Sequence, residues 1–205
     1  AEPASGKSLA HPDFEPLWSL FEDLEITVML HVGGGRVPVD TGWIDNGGHP
    51  LDLTLMYGTY VRRLVPELTL SALILRGVLE RHPKLRFFVA ELGAHWVPDF
   101  GTRLDAVVDK TNQMASVTGR SYDALKLKPS EYFERQVRVA ALASDGGLDD
   151  VLARSPADVV VYSSDYPHPE GTKAPAEVFD GLLADAKPEA RERFYGESVA
   201  DFAGY

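Results

Sequence analysis

The sequence predicts an α/β fold with parallel strands, and three observations predict it. Short runs rich in apolar and β-branched residues recur along the chain, each the length of one strand buried on both faces. Longer segments between them repeat their apolar residues at helical spacing. The two patterns alternate several times over, as strands joined by right-handed helical crossovers do.

Taken in order, residues 1–12 are small and polar without periodicity and read as an N-terminal arm, with one domain over 13–205. Phe14, Leu17, Trp18, Phe21 and Leu24 form the first helical stripe, with Asp13 placed as its cap and Pro16 tolerated in its first turn. A nearly all-apolar strand follows at 26–32. A long irregular stretch, about 33–66, carries Gly33-Gly34-Gly35, Asn46-Gly47-Gly48, Trp43, Tyr57 and Tyr60, and its aromatics favour a lid or binding loop. Leu70, Leu73, Ile74, Gly77 and Val78 make a helical stripe that ends at His82-Pro83 and leads to a strand at 85–90. Val97, Phe100, Leu104, Val107 and Val108 make the next. A short helix near 129–133 precedes a strand at 136–140, another at 148–154 precedes a strand at 158–162, and helices near 176–185 and 188–203 close the chain. Four strands in 205 residues fit either a small open sheet or part of an eight-stranded barrel, which typically takes about 250 residues.

Composition narrows the chemistry. With 44% hydrophobic and 25% charged residues the chain builds a core, which excludes disorder for most of its length. Lys and Arg total 20 against 31 Asp and Glu, and the net charge of −11 argues against binding to nucleic acid or to an anionic membrane. The absence of cysteine removes disulfides, thiolate ligands and thiol nucleophiles. No apolar run approaches the ~20 residues of a membrane span, and no signal-peptide pattern opens the chain, so a cytoplasmic location is expected.

In parallel α/β folds the functional groups lie just beyond the C-terminal ends of the strands. Three strand ends carry them here: His31 on the first, Glu91 and His95 on the second, Asp165 and His168 on the last. Imidazole and carboxylate are the ligands a hard or borderline divalent metal takes, and a carboxylate beside such a metal can accept a proton from water. Asp165 is thus a candidate ligand and base. The remaining groups read plainly: His11 and His82, each before a proline, as surface or capping residues, His49 as a solvated turn residue, Trp18 and Trp96 as core. Gly33-Gly34-Gly35 lacks the Lys-Ser/Thr of a phosphate loop.

Four segments carry a resemblance. They are His11-Pro12-Asp13-Phe14-Glu15-Pro16-Leu17-Trp18, Leu30-His31-Val32-Gly33, Glu91-Leu92-Gly93-Ala94-His95-Trp96-Val97-Pro98 and Ser164-Asp165-Tyr166-Pro167-His168-Pro169-Glu170-Gly171. Together they resemble the amidohydrolase-related metal-dependent hydrolases of the aminocarboxymuconate-semialdehyde decarboxylase type, over essentially the whole chain from His11. The resemblance implies a TIM-barrel (β/α)8-type fold, with this chain as its C-terminal half from the fifth strand to the final helix. It implies a divalent metal, often zinc, at the strand ends, and hydrolysis or non-oxidative decarboxylation of a small carboxylated or aromatic molecule. By position it implies His31 and Asp165 as metal ligands, Asp165 and His95 as catalytic residues, and Glu91 and His168 as substrate-binding residues. Glu91 stands where many members carry a catalytic His, with His95 four residues on. The His-x-His pair of the family's first strand has no counterpart here, and two ligands under-coordinate a metal. The partner expected besides a small-molecule substrate is therefore the missing N-terminal half or a second copy. The competing reading is a non-catalytic half-barrel that dimerises, or that binds a small molecule through the Trp43/Tyr57/Tyr60 loop.

Overall fold

The computed structural model describes residues 6–32, 40–43, 47–48, 57–168 and 171–204. Strands β1 (Thr27–His31), β2 (Arg86–Ala90), β3 (Val137–Ala140) and β4 (Val160–Val161) form one sheet, all parallel and in chain order. Strand order that never reverses is barrel winding; a doubly wound open sheet would turn back at a switch point. The sheet is a four-stranded part of a (β/α)8-type barrel. Its register pairs His31 with Ala90, which brings the residue after β2, Glu91, level with the mouth end of β1.

Side chains alternate across the sheet because successive Cβ atoms of a strand point to opposite faces. Leu30, Phe87, Val89, Val137, Val139 and Val160 face the helices and join the core. Thr27, Met29, His31, Arg86, Phe88 and Ala90 therefore face the other way, toward the barrel interior, and none of them is buried. The helical layer comprises α1 (Glu15–Asp23), α2 (Arg62–Leu75), α3 (Val78–Arg81), α4 (Val97–Gln113), α5 (Ala115–Thr118), α6 (Pro129–Gln136), α7 (Leu148–Arg154), α8 (Pro175–Leu182), α9 (Pro188–Glu192) and α10 (Ser198–Ala203). Proline opens several of them, as at Pro129, Pro175 and Pro188, where its missing N–H costs nothing. Between α4 and α6 the rings of Trp96, Phe100 and Phe133 meet, the last two edge to face at 4.9 Å between centroids. Trp18 and Trp96 are core residues, as read from the sequence.

Four details depart from the sequence reading. First, the irregular stretch expected to run to Pro66 ends sooner, because a π-helical turn at Tyr57–Val61 leads into α2 at Arg62. Pro66 is the fifth residue of α2, where its missing N–H leaves only the Arg62 carbonyl unserved. The buried Leu70, Leu73 and Ile74 stripe holds the helix regardless. Trp43 and Tyr60 in that stretch are exposed, while Gly33-Gly34-Gly35 and His49 lie outside the described residues. Second, β4 has two residues where five were expected, since the Tyr162 amide donates to the Phe194 carbonyl at 2.9 Å and leaves the ladder. Third, Asp13 does not cap α1: it pairs with Lys7, and a 3-10 turn (Pro12–Phe14) runs straight into the helix. Fourth, His82 is buried, held by Glu22 at 2.9 Å and Glu15 at 3.0 Å.

That last cluster ties α1 to the start of β2. Arg81 grips Glu15 with two hydrogen bonds, of 2.6 and 2.9 Å, while the Lys84 amide donates to Glu22 at 2.8 Å. Those Arg81 bonds hold the Glu15 carboxyl down at about 2. A carboxyl depressed in the folded state stabilises it above the ordinary Glu range, and that stability is lost as pH falls through 4.5 toward 2. Glu15 is about a third exposed, so screening keeps the gain in the range of a surface pair. Glu15→Gln is expected to lower the melting temperature near pH 7 by roughly 1–4 °C, from ~0.5–1 kcal/mol. Melting curves from pH 7 down to pH 3 check this: the gap must narrow below pH 4.5, and a constant gap contradicts it. No helix among the described residues is long and apolar enough to cross a membrane.

Candidate metal centre

His31 closes β1 on the inner face, and its Nδ1 hydrogen-bonds the Val32 carbonyl. That bond fixes the ring and, with the nearby charges of Glu91 and Asp165, raises the pKa of the imidazole against the opposing effect of burial. Its other nitrogen, Nε2, lies 3.0 Å from Glu91 Oε1.

Glu91 follows β2 directly and has left-handed backbone, with φ of +59°. For a residue with a Cβ this conformation is strained, and such strain persists only where the surroundings hold it. The turn is completed by Gly93 at φ +69°, whose carbonyl accepts from Trp96 Nε1 at 2.8 Å. Asp165, beyond β4, is left-handed too, at φ +52°. Its carbonyl accepts from the His168 amide at 2.8 Å, which folds the segment back toward the strand ends. Two strand ends thus use the same rare backbone to aim a carboxylate at one place.

The result is a tight group. One ligand atom from each of Glu91, Asp165 and His168 lies within 4.8 Å of the other two. Glu91 is mostly buried, and burial raises its carboxyl pKa; a hydrogen bond shared with the Asp165 carboxyl and that group's charge raise it further, while His31 and His168 oppose the rise. Glu91 Oε2 and Asp165 Oδ2 are buried and accept no hydrogen bond among the described residues. Paired carboxylates with donorless oxygens, beside two imidazoles, form a donor set for a divalent cation, which would relieve their repulsion in place of a shared proton.

Of the residues singled out in the sequence, the fold brings together His31, Glu91, Asp165 and His168. His95 stands apart. Its Nε2 bonds the Gly146 carbonyl at 2.8 Å, and its Nδ1 lies 3.4 Å from Asp145. Asp145, absent from the sequence reading, is buried in the turn after β3. It accepts from the amides of Ala94 at 3.1 Å and Leu142 at 2.9 Å, and so ties the loop carrying Glu91 to its neighbour. A lone Asp in a Gly-rich turn gives no signal of this in the sequence.

Comparison with known proteins bears on the fold and the family. The profile of the amidohydrolase family matches residues 2–198. No curated protein matches the chain. Among solved structures, an amidohydrolase from Mycobacterium avium subsp. paratuberculosis superposes with a TM-score of 0.71 at 21% identity, over 97% of this chain and 47% of its own. A 5-carboxyvanillate decarboxylase from Sphingomonas paucimobilis gives 0.67 at 22% identity, over 96% and 55%. One from Novosphingobium aromaticivorans, a variant with bound manganese and 3-methoxy-4-hydroxy-5-nitrobenzoic acid, gives 0.70 at 17% identity, over 100% and 56%. The chain spans about half the length of each of these structures. With a profile match over nearly its whole length, the chain belongs to the amidohydrolase family.

Proposed function

We propose that this chain forms the C-terminal half of the pocket of a divalent-metal-dependent hydrolase or non-oxidative decarboxylase. Its substrate is a small carboxylated or aromatic molecule. The observation that carries the reading is the convergence of Glu91, Asp165 and His168 within 4.8 Å, joined by His31 through Glu91. The decarboxylases among the structural neighbours support it.

In this reading His31, Glu91, Asp165 and His168 hold the cation, and Glu91 and His168 move from substrate contacts to the donor set. The imidazoles favour zinc, as expected from the sequence, and the carboxylates admit manganese. A divalent cation held there would supply Lewis acidity. Asp165 Oδ2, buried and without a donor among the described residues, is the atom placed to take a proton and return it. Glu91, mostly buried beside it, would complete the carboxylate pair around the cation. His31, with one nitrogen tied to the Val32 carbonyl, presents the other in a fixed orientation. His95, held by Asp145 and the Gly146 carbonyl, keeps the position of a rim residue.

The open side of the sheet supports the half-barrel part of the reading. Leu20, Leu24, Ile26 and Met29 are large apolar residues of α1, β1 and the turn between them, all more than 40% exposed. Arg138 on β3 is buried, with Nη1 donating to the backbone and the guanidinium 4.4 Å from the Phe202 ring centroid. Its buried Nε has no partner, and no carboxylate pairs with it among the described residues. An unpaired β-edge and exposed apolar side chains drive association. The purified chain is therefore expected to self-associate unless a complementary half is supplied, and Met29→Lys is expected to shift it toward monomer. Sedimentation velocity checks this, and a wild-type chain that stays monomeric at high concentration contradicts it.

Metal analysis of the purified chain tests the proposal itself. One equivalent of divalent metal is expected. Its absence, even with an N-terminal half added, contradicts the proposal.

A further inference from the structure

Resting on the metal-site reading, we infer that Gly171 is the positioning residue that sets Asp165 in its ligand orientation. Asp165 holds a strained left-handed backbone, so something outside its own φ and ψ preference must hold it there. Two hydrogen bonds fold the chain back over it: the His168 amide donates to the Asp165 carbonyl at 2.8 Å, and the Gly171 amide donates to the His168 carbonyl at 3.0 Å. This path seats Gly171 directly on the Asp165 backbone. A Cβ at residue 171 would lie 2.5 Å from the Asp165 carbonyl oxygen, 2.9 Å from its carbon and 3.0 Å from the Ser164 carbonyl oxygen.

All three obstacles are main-chain atoms, so no side-chain rotation relieves them. The backbone at Gly171 is not in the left-handed region, so no penalty of that kind bars alanine there. The constraint is room alone, spent against the residue that carries a ligand. A single methyl group at 171 must push away either its own segment, which is bonded to His168, or the Asp165 main chain, and each movement disturbs the group of Glu91, Asp165 and His168. The atoms that a Cβ at 171 would meet are all main chain, so Gly171 acts through the Asp165 main chain.

The experiment is a zinc chloride titration of the wild-type chain and Gly171→Ala, followed by calorimetry, with circular dichroism and melting of each metal-free protein. Gly171→Ala is expected to weaken zinc affinity about 10- to 100-fold, as loss of an orienting group around a metal does. The metal-free far-ultraviolet spectrum should be unchanged. Equal zinc affinity in the two proteins overturns this inference and leaves the metal site standing. A wild-type chain that binds no zinc overturns both. Should the variant fail to fold, amide exchange on the wild type decides: zinc must slow exchange at Gly171 and His168, and unchanged exchange at these amides in zinc-bound protein overturns the inference.

Discussion

Asp165→Asn is expected to abolish the response of this chain to divalent metal while leaving its metal-free fold intact or slightly firmer. The exchange keeps the shape of the side chain and removes one of the two charges that repel each other beside His31. With Asp165 present, a cation held at one hundred times its dissociation constant stabilises the fold by about 2.7 kcal/mol. For a domain of this size that is a rise of roughly 5–10 °C in melting temperature. Asparagine offers a neutral oxygen, and the expected loss of affinity is at least about 100-fold, enough to erase the rise at the same concentration. Thermal melts of both proteins with and without zinc or manganese check this. An unchanged rise in the variant removes Asp165 from the site.

Phe133→Ala carries the largest expected effect on stability. Phe133 is 1% exposed and meets the rings of Trp96 and Phe100, with centroids 5.8 and 4.9 Å away. Removing it deletes the transfer energy of the ring and leaves a cavity that helices α4 and α6 cannot close, a cost of ~3–5 kcal/mol. The melting temperature is expected to fall by roughly 6–20 °C. The same cluster sits beneath the loop of Gly93 and Trp96, so metal affinity should weaken along with stability. Phe133→Leu, which keeps most of the volume, should lose far less of both. Chemical denaturation of the three proteins checks the order, and an alanine variant as stable as the leucine one contradicts it.

The parallel strands were legible because each is a short apolar run, and the residue types at their ends marked the candidate site. His31 and Asp165 were singled out as candidates for that reason, and the fold brings both beside Glu91. What the sequence hid was set by backbone geometry. Nothing in Glu91-Leu92-Gly93-Ala94-His95 distinguishes a turn that sends His95 inward from one that sends it aside. The left-handed φ of Glu91 and the bonds of Asp145 to the following loop send His95 to Gly146 and leave Glu91 facing Asp165. His82 before a proline looked like a surface residue, since the two glutamates that bury it lie 60 and 67 positions away. Pro66 looked like a boundary because a local rule was applied where tertiary packing of Leu70, Leu73 and Ile74 decides.

One measurement bears most directly on the central claim that imidazole and carboxylate groups from separate strands share one cation. Manganese added in small steps to the nitrogen-15-labelled chain broadens the amide resonances of residues nearest the ion. Early loss of signal is expected at His31–Val32, Glu91–Leu92, Ser164–Tyr166 and His168, with Arg86 and Val137 at the far ends of their strands unaffected. Uniform broadening, or loss centred on His95 and Gly146 with Asp165 and His31 still sharp, would contradict it.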